Sequence, residues 1–139
     1  YHAYPEFSLS YMQHIIQSLH QTYDGRRIPT IVFTKQGGPW LEQIAASGCD
    51  AVALDGSQNI VDAKARIGHK VTLQGNLDPQ VLFANQSTIE KEVDTIMQAF
   101  NGETGHVFNL GHGIDKDTPI AGVDHMLAAI RAYKKVSTK

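Results

Sequence analysis

The residues of this 139-residue chain that could do chemistry stand at the ends of short apolar runs. Phe108-Asn109-Leu110-Gly111-His112-Gly113 delivers a histidine between two glycines. An imidazole there can give a hydrogen bond or a positive charge to a carboxylate, and it exchanges a proton near neutral pH. A second run, Val71-Thr72-Leu73-Gln74, leads into Gly75-Asn76-Leu77-Asp78-Pro79, where glycine again lets backbone and ligand come close. Two earlier runs end alike: Ile28 to Thr34 precedes Lys35 and Gly37-Gly38, and Ala51 to Leu54 precedes Asp55. The carboxyl ends of strands are where α/β proteins build their sites.

Each of these residues also has a plainer reading. His112 could close a turn. Asp55 is an acid/base group or a substrate acceptor, or else a loop carboxylate satisfied by backbone donors. Lys35 could meet an anionic group, or form an outer salt bridge or a subunit contact. Gly75 and Asn76 could line a cleft, or turn the chain into a helix start at Asp78-Pro79. His106 lies inside a strand run and reads as a packed or hydrogen-bonded histidine, while Cys49 and Trp40 read as packing residues. His2, His14, His20, His69 and His125 are dispersed and share no metal-ligand spacing.

The elements that must position these residues follow from hydrophobic periodicity and its punctuation. Pro5-Glu6 opens a helix predicted to run from 5 to 23, with Met12, Ile15, Ile16, Leu19 and Tyr23 on one stripe and Gly25 as its stop. Trp40 to Ser47 forms the next, ending at Gly48; Asn59 caps a third to Ile67, ending at Gly68. Ser87-Thr88-Ile89-Glu90 is a capping box for a fourth helix that stops at Gly102. Thr118-Pro119 opens a fifth, with Ile120, Val123, Leu127 and Ile130 as its core stripe. Strands are predicted at 28–34, 51–54, 71–75 and 106–110. Strict α-then-β alternation makes this an α/β fold with parallel strands and right-handed crossovers. A complete (β/α)8 barrel takes about 250 residues, so this chain could supply half of one.

Composition narrows the function. A net charge of −2, with 42% apolar and 19% charged residues, is a globular balance. It provides no basic stripe for nucleic acid and no basic amphipathic helix for a membrane, so a small-molecule ligand is favoured. The lone Cys49 rules out an internal disulfide and fits a reducing compartment, with the cytoplasm as the expected location. The sequence begins at Tyr1 without a methionine and reads as a fragment or a processed product.

Four segments together carry a family resemblance: Phe33-Thr34-Lys35-Gln36-Gly37-Gly38, Leu54-Asp55, Leu73-Gln74-Gly75-Asn76-Leu77-Asp78-Pro79 and Phe108 to Gly113. In this order and spacing the chain resembles the C-terminal part of the uroporphyrinogen decarboxylase family, over essentially its whole length. The resemblance implies that residues 1–139 are the C-terminal half of a single (β/α)8 TIM-barrel domain. It further implies a homodimeric enzyme that decarboxylates the acetate side chains of uroporphyrinogen to give coproporphyrinogen, with no metal or organic cofactor. The family's substrate-contacting histidine maps onto His112, while its paired arginines, aspartate, tyrosine and serine or threonine fall upstream of this sequence. One departure stands after Leu54-Asp55: the family usually has tryptophan then threonine, and here Gly56 and Ser57 follow. Two alternatives remain at this level. A corrinoid-related methyltransferase of the same superfamily would need a zinc site, for which Cys49 has no histidine or cysteine neighbour. A non-catalytic α/β ligand-binding domain could use the same loops.

Overall fold

The structure, a computed structural model, describes residues 3–19 and 21–133. The chain enters through a π-helical turn, Pro5–Leu9, that continues into α1 (Ser10–Ser18). Helical periodicity predicts continuation to residue 23, but Leu19 already has an extended ψ of 144°. A hairpin follows instead, pairing β1 (Thr22–Tyr23) with β2 (Arg26–Arg27) in antiparallel fashion. Its turn residues, Asp24 and Gly25, both have positive φ, of 50° and 71°. Asp-Gly is the pair that such tight hairpin turns select, because both central residues must be left-handed. Gly25 therefore turns a hairpin rather than stopping a helix, and Tyr23 is exposed rather than part of the helical stripe.

Beyond the hairpin, helices and strands alternate as expected. The strands β3 (Ile31–Phe33), β4 (Ala51–Ala53), β5 (Thr72–Gln74) and β6 (His106–Val107) form one sheet in the order β3-β4-β5-β6. All its pairings are parallel, with Val32 opposite Val52, Val52 opposite Leu73 and Leu73 opposite His106. The strands are shorter than their apolar runs, and an isolated parallel bridge between Leu77 and Leu110 carries the last pairing past β6.

Between them lie α2 (Leu41–Ala45), entered through a 3-10 turn at Gly38–Trp40, then α3 (Ile60–Ile67), α4 (Gln86–Phe100) and α5 (Ile120–Ala132). Asn59 caps α3 as expected, its side chain accepting from the N–H groups of Val61 at 2.9 Å and Asp62 at 3.0 Å. The cap of α4 is Asn85 and not Ser87: the Asn85 side chain accepts from Thr88 N–H at 3.0 Å, and the Ser87 hydroxyl donates to that same oxygen at 2.8 Å. Asparagine caps at least as well as serine, and the earlier cap gains a further half-turn of helix.

The core joins Val32, Val52 and Leu73 of the strands to Ile44, Ile67 and Val93 of the helices. Arg66 ties α3 to α2, donating to both Glu42 carboxylate oxygens at 2.6 and 2.7 Å and to Gly38 O at 3.0 Å. Hydrogen bonding from that guanidinium lowers the Glu42 carboxyl to about 2.

Helix α5 is rotated relative to its predicted stripe. Ile120 is 80% exposed, and the buried positions are Gly122 and Met126. Thr118 supplies no side-chain cap, and Pro119 takes the cap position. The rotation follows from a backbone contact, since a Cβ at Gly122 would lie 2.0 Å from Leu82 O. Only glycine lets α5 settle onto the 3-10 turn Pro79–Phe83. Replacing Gly122 by alanine is therefore expected to destabilise the protein by about 2 kcal/mol, the overpacking cost exceeding the roughly 1 kcal/mol gain in helix propensity. Urea unfolding of the wild type and the variant measures the difference.

Candidate functional site

Alternation along each strand assigns its side chains to two faces. Val32, Val52 and Leu73 point into the helices, and the residues flanking them, including Ile31, Phe33, Ala53 and Gln74, occupy the opposite face. Ile31 and Phe33 are 51% and 45% exposed, so this second face is apolar and open. Toward the carboxyl ends of the strands it widens into a cleft of about 590 Å3, whose wall includes Phe33, Leu54, Gln74, Asn109, His112 and Ile114. A mostly apolar surface with a few polar groups at its rim is the usual form of a small-molecule site.

His112 is exposed on that rim, with its Nδ1 2.9 Å from Gly113 O. A carbonyl only accepts, so Nδ1 carries the proton in this contact. Nε2 is left for a ligand, as an acceptor on the neutral ring or as a second donor on the cation.

Of the other strand-end residues singled out from the sequence, Asp55 and Asn76 are buried behind the wall. Asp55 is 4% exposed, and its carboxylate accepts from Gln36 N–H, from the Ser57 hydroxyl and from Ser57 N–H at 2.8 Å. Burial pushes its pKa up, but the hydrogen bonds from Ser57 and Gln36 outweigh that and hold the carboxyl below the usual carboxylate range. It is an ionised brace between the loops after β3 and β4, and its partners Gln36 and Ser57 were not distinguishable in the sequence because neither falls in a periodic pattern. Asn76 is 6% exposed, donating from Nδ2 to Asp55 O at 2.8 Å and to Gln58 O at 2.7 Å. Gly75 has a φ of 137°, its N–H donating to Val107 O at 2.9 Å. Lys35 is exposed on the loop after β3. The structure thus joins Asp55 to Asn76 and sets His112 on the cleft beside Phe33, Gln74 and Asn109. The sequence does not show that Phe33 faces the cleft, because Ile31-Val32-Phe33 is apolar throughout and has no alternation. The departure at Gly56-Ser57 also falls behind the wall, Ser57 being turned to the Asp55 carboxylate.

His106 is packed, as its place in a strand run suggested. Its ring stacks on Phe100 with centroids 4.2 Å apart, and Nε2 lies 2.8 Å from Gly75 O. Trp40 is half-buried against the core with its ring 4.6 Å from that of Tyr4. The Cys49 thiol is buried 3.6 Å from Ile44 O, and burial raises its pKa. Among the described residues no group of three or more His, Cys, Asp or Glu side chains is placed to hold a metal ion, and no helix is long and apolar enough to cross a membrane. His2 and His20 lie outside the described residues.

Comparison with known proteins gives a consistent picture. The family described as Uroporphyrinogen decarboxylase (URO-D) matches residues 1–133. A uroporphyrinogen decarboxylase of Actinobacillus succinogenes is 52% identical over 136 residues, which cover 98% of this chain and 38% of that protein. One from Sodalis glossinidius is 54% identical over 127 residues, covering 91% of this chain and 36% of the relative. One from Aliivibrio salmonicida is 53% identical over 133 residues, 95% of this chain and 38% of the relative. The chain thus spans 36 to 38% of the length of these relatives.

The burial of His106 has a measurable consequence. Desolvation lowers its pKa below the ordinary 6.5, against a smaller opposing effect of the contact with Gly75 O. Below about 6.5 the unfolded chain therefore binds a proton at this site more readily than the folded one, and stability falls as pH drops. Between pH 7.5 and 5.5 the thermal midpoint of wild type is expected to fall more steeply than that of His106→Gln, the remaining histidines being common to both. Equal slopes would show that His106 is not held neutral by burial.

Proposed function

The chain belongs to the uroporphyrinogen decarboxylase family, and we propose that it is the C-terminal part of an enzyme that converts uroporphyrinogen to coproporphyrinogen. The observation that carries this reading is the exposed His112 on the rim of an open apolar cleft at the carboxyl ends of parallel strands. A macrocycle with a flat apolar body and carboxylates at its edge suits such a cleft. His112 would hold one polar edge through Nε2.

Loss of carbon dioxide from an acetate arm leaves an electron pair, which a pyrrole protonated at carbon can accept. A proton then adds to the resulting methylene to give the methyl group and the ring carbon gives up its own, so that one proton replaces each carbon dioxide. No external oxidant or reductant is required, and the reading includes no metal or organic cofactor. Catalysis then rests on positioning the substrate and stabilising charge as it develops. Asp55 serves the loops rather than the substrate in this reading, since it is buried and its carboxylate accepts from Gln36 and Ser57.

Residues 1–139 would belong to one barrel domain completed by upstream sequence. Two features support this: Ile31, Phe33 and Val107 leave the inner face of the sheet half-exposed, and among the described residues no strand lies beyond β3 or β6. The complete enzyme would act as a homodimer in the cytoplasm, a location that a single buried cysteine suits.

In the longer polypeptide, His112→Ala is expected to lower kcat/KM for uroporphyrinogen by roughly 10- to 100-fold, the range for a lost charge-assisted hydrogen bond. His106→Gln should stay within a few-fold of wild type. Equal effects of the two would remove the role assigned to His112. Residues 1–139 alone are expected to form no coproporphyrinogen and to self-associate through the open sheet. An active monomer, seen by product assay and light scattering, would overturn the proposed division of the site between this segment and upstream sequence.

A further inference from the structure

We infer that Asn76, which does not reach the cleft, is a positioning residue for His112. The inference deepens the reading above, and its activity arm rests on it. The Asn76 amide donates both its hydrogens to carbonyls of a single turn, Asp55 O at 2.8 Å and Gln58 O at 2.7 Å. The side chain thereby anchors the loop after β5 to the loop after β4. The next residue, Leu77, holds the segment that carries His112 from both sides of Leu110. Its N–H donates to Asn109 O at 3.1 Å, and its carbonyl accepts from Gly111 N–H at 2.7 Å.

Gly111 is in turn pressed against the turn that Asn76 grips. A Cβ at position 111 would lie 2.2 Å from Gly56 N and 2.8 Å from Asp55 C. The segment ending at His112 is therefore clamped between the loop after β5 and the loop after β4, and the Asn76 amide sets the spacing of the clamp. Among the described residues His112 has no such tether of its own, its ring bonding only to the carbonyl of the adjacent Gly113. Where Gly111 is held, His112 follows. Removing the buried donor leaves Gln58 O without its partner and Asp55 O with only the longer 3.2 Å bond from Gln58 N–H. The loops can then part, and an error of about 1 Å at a substrate-contacting group is enough to cost binding.

The test uses the longer polypeptide that carries this segment, with Asn76→Ala, His112→Ala and the double variant. Hydrogen exchange is followed in peptides covering 108–114 and, as a folding control, 86–100. Asn76→Ala is expected to speed exchange in 108–114 by roughly tenfold while leaving 86–100 unchanged. It should also raise KM for uroporphyrinogen by roughly tenfold when His112 is present and by less than about twofold when His112 is alanine. Unchanged exchange in 108–114, or the same KM cost with and without His112, would overturn the inference. Asn76→Asp keeps the side-chain shape while setting a carboxylate against both carbonyls, and it must give the same pattern should Asn76→Ala lose protection in 86–100. If the wild-type polypeptide forms no coproporphyrinogen, the functional reading fails and the exchange result alone decides the positioning role.

Discussion

A parallel sheet has two faces to bury, and the helices of this chain cover one of them. Val32, Val52 and Leu73 are buried in one core with residues of α2, α3 and α4, and His106 at the end of the row stacks on Phe100 of α4. The row Phe33, Ala53, Gln74 and Val107 is left on the other side. In a (β/α)8 barrel that second face lines the interior, and side chains from the remaining strands pack against it. The open cleft, the exposed Phe33 and, among the described residues, the unpaired edges of β3 and β6 go with a four-stranded sheet whose helices lie on one face.

Above the sheet, loops rather than strands carry the polar chemistry, and they are held by one another. Burying a carboxylate is costly unless hydrogen bonds replace its water. The hydrogen bonds from Gln36 and Ser57 do so for Asp55, and they hold its carboxyl below the usual carboxylate range. Asn76 links the same turn to the next loop, and Leu77 and Gly111 pass the restraint to the last one. The result is a chain of short contacts running from Gln36 across the strand ends to His112. Such support is what gives an exposed imidazole a defined position without packing against it.

Outside the sheet, the helices are set by a mixture of side-chain and backbone contacts. The Arg66 fork on Glu42 also reaches Gly38 O, so the same guanidinium steadies the entry to α2 just below the loop that carries Gln36. Gly122 lets α5 touch the backbone at Leu82, and that contact outweighs the hydrophobic stripe that would have turned Ile120 inward. Packing of backbone against backbone is invisible to a reading that counts only apolar side chains.

The order of elements, the parallel pairing and the strand-end location of His112, Asp55 and Asn76 were legible in the sequence, because alternating apolar runs and glycine or asparagine punctuation are local signals. The burial of Cys49 and the packed state of His106 were legible for the same reason. The hairpin at 22–27 was locally encoded too, in Asp24-Gly25, but helical spacing through Leu19 and Tyr23 masked it. Other features depended on residues far apart in the chain. Which face Ile31 and Phe33 occupy, how α5 is rotated, and that Asp55 turns inward to Gln36 while His112 stays on the rim were decided only by tertiary structure. Local sequence signals place these groups at the strand ends; the packing of one loop against the next sets which of them are bonded within the protein and leaves His112 facing the cleft.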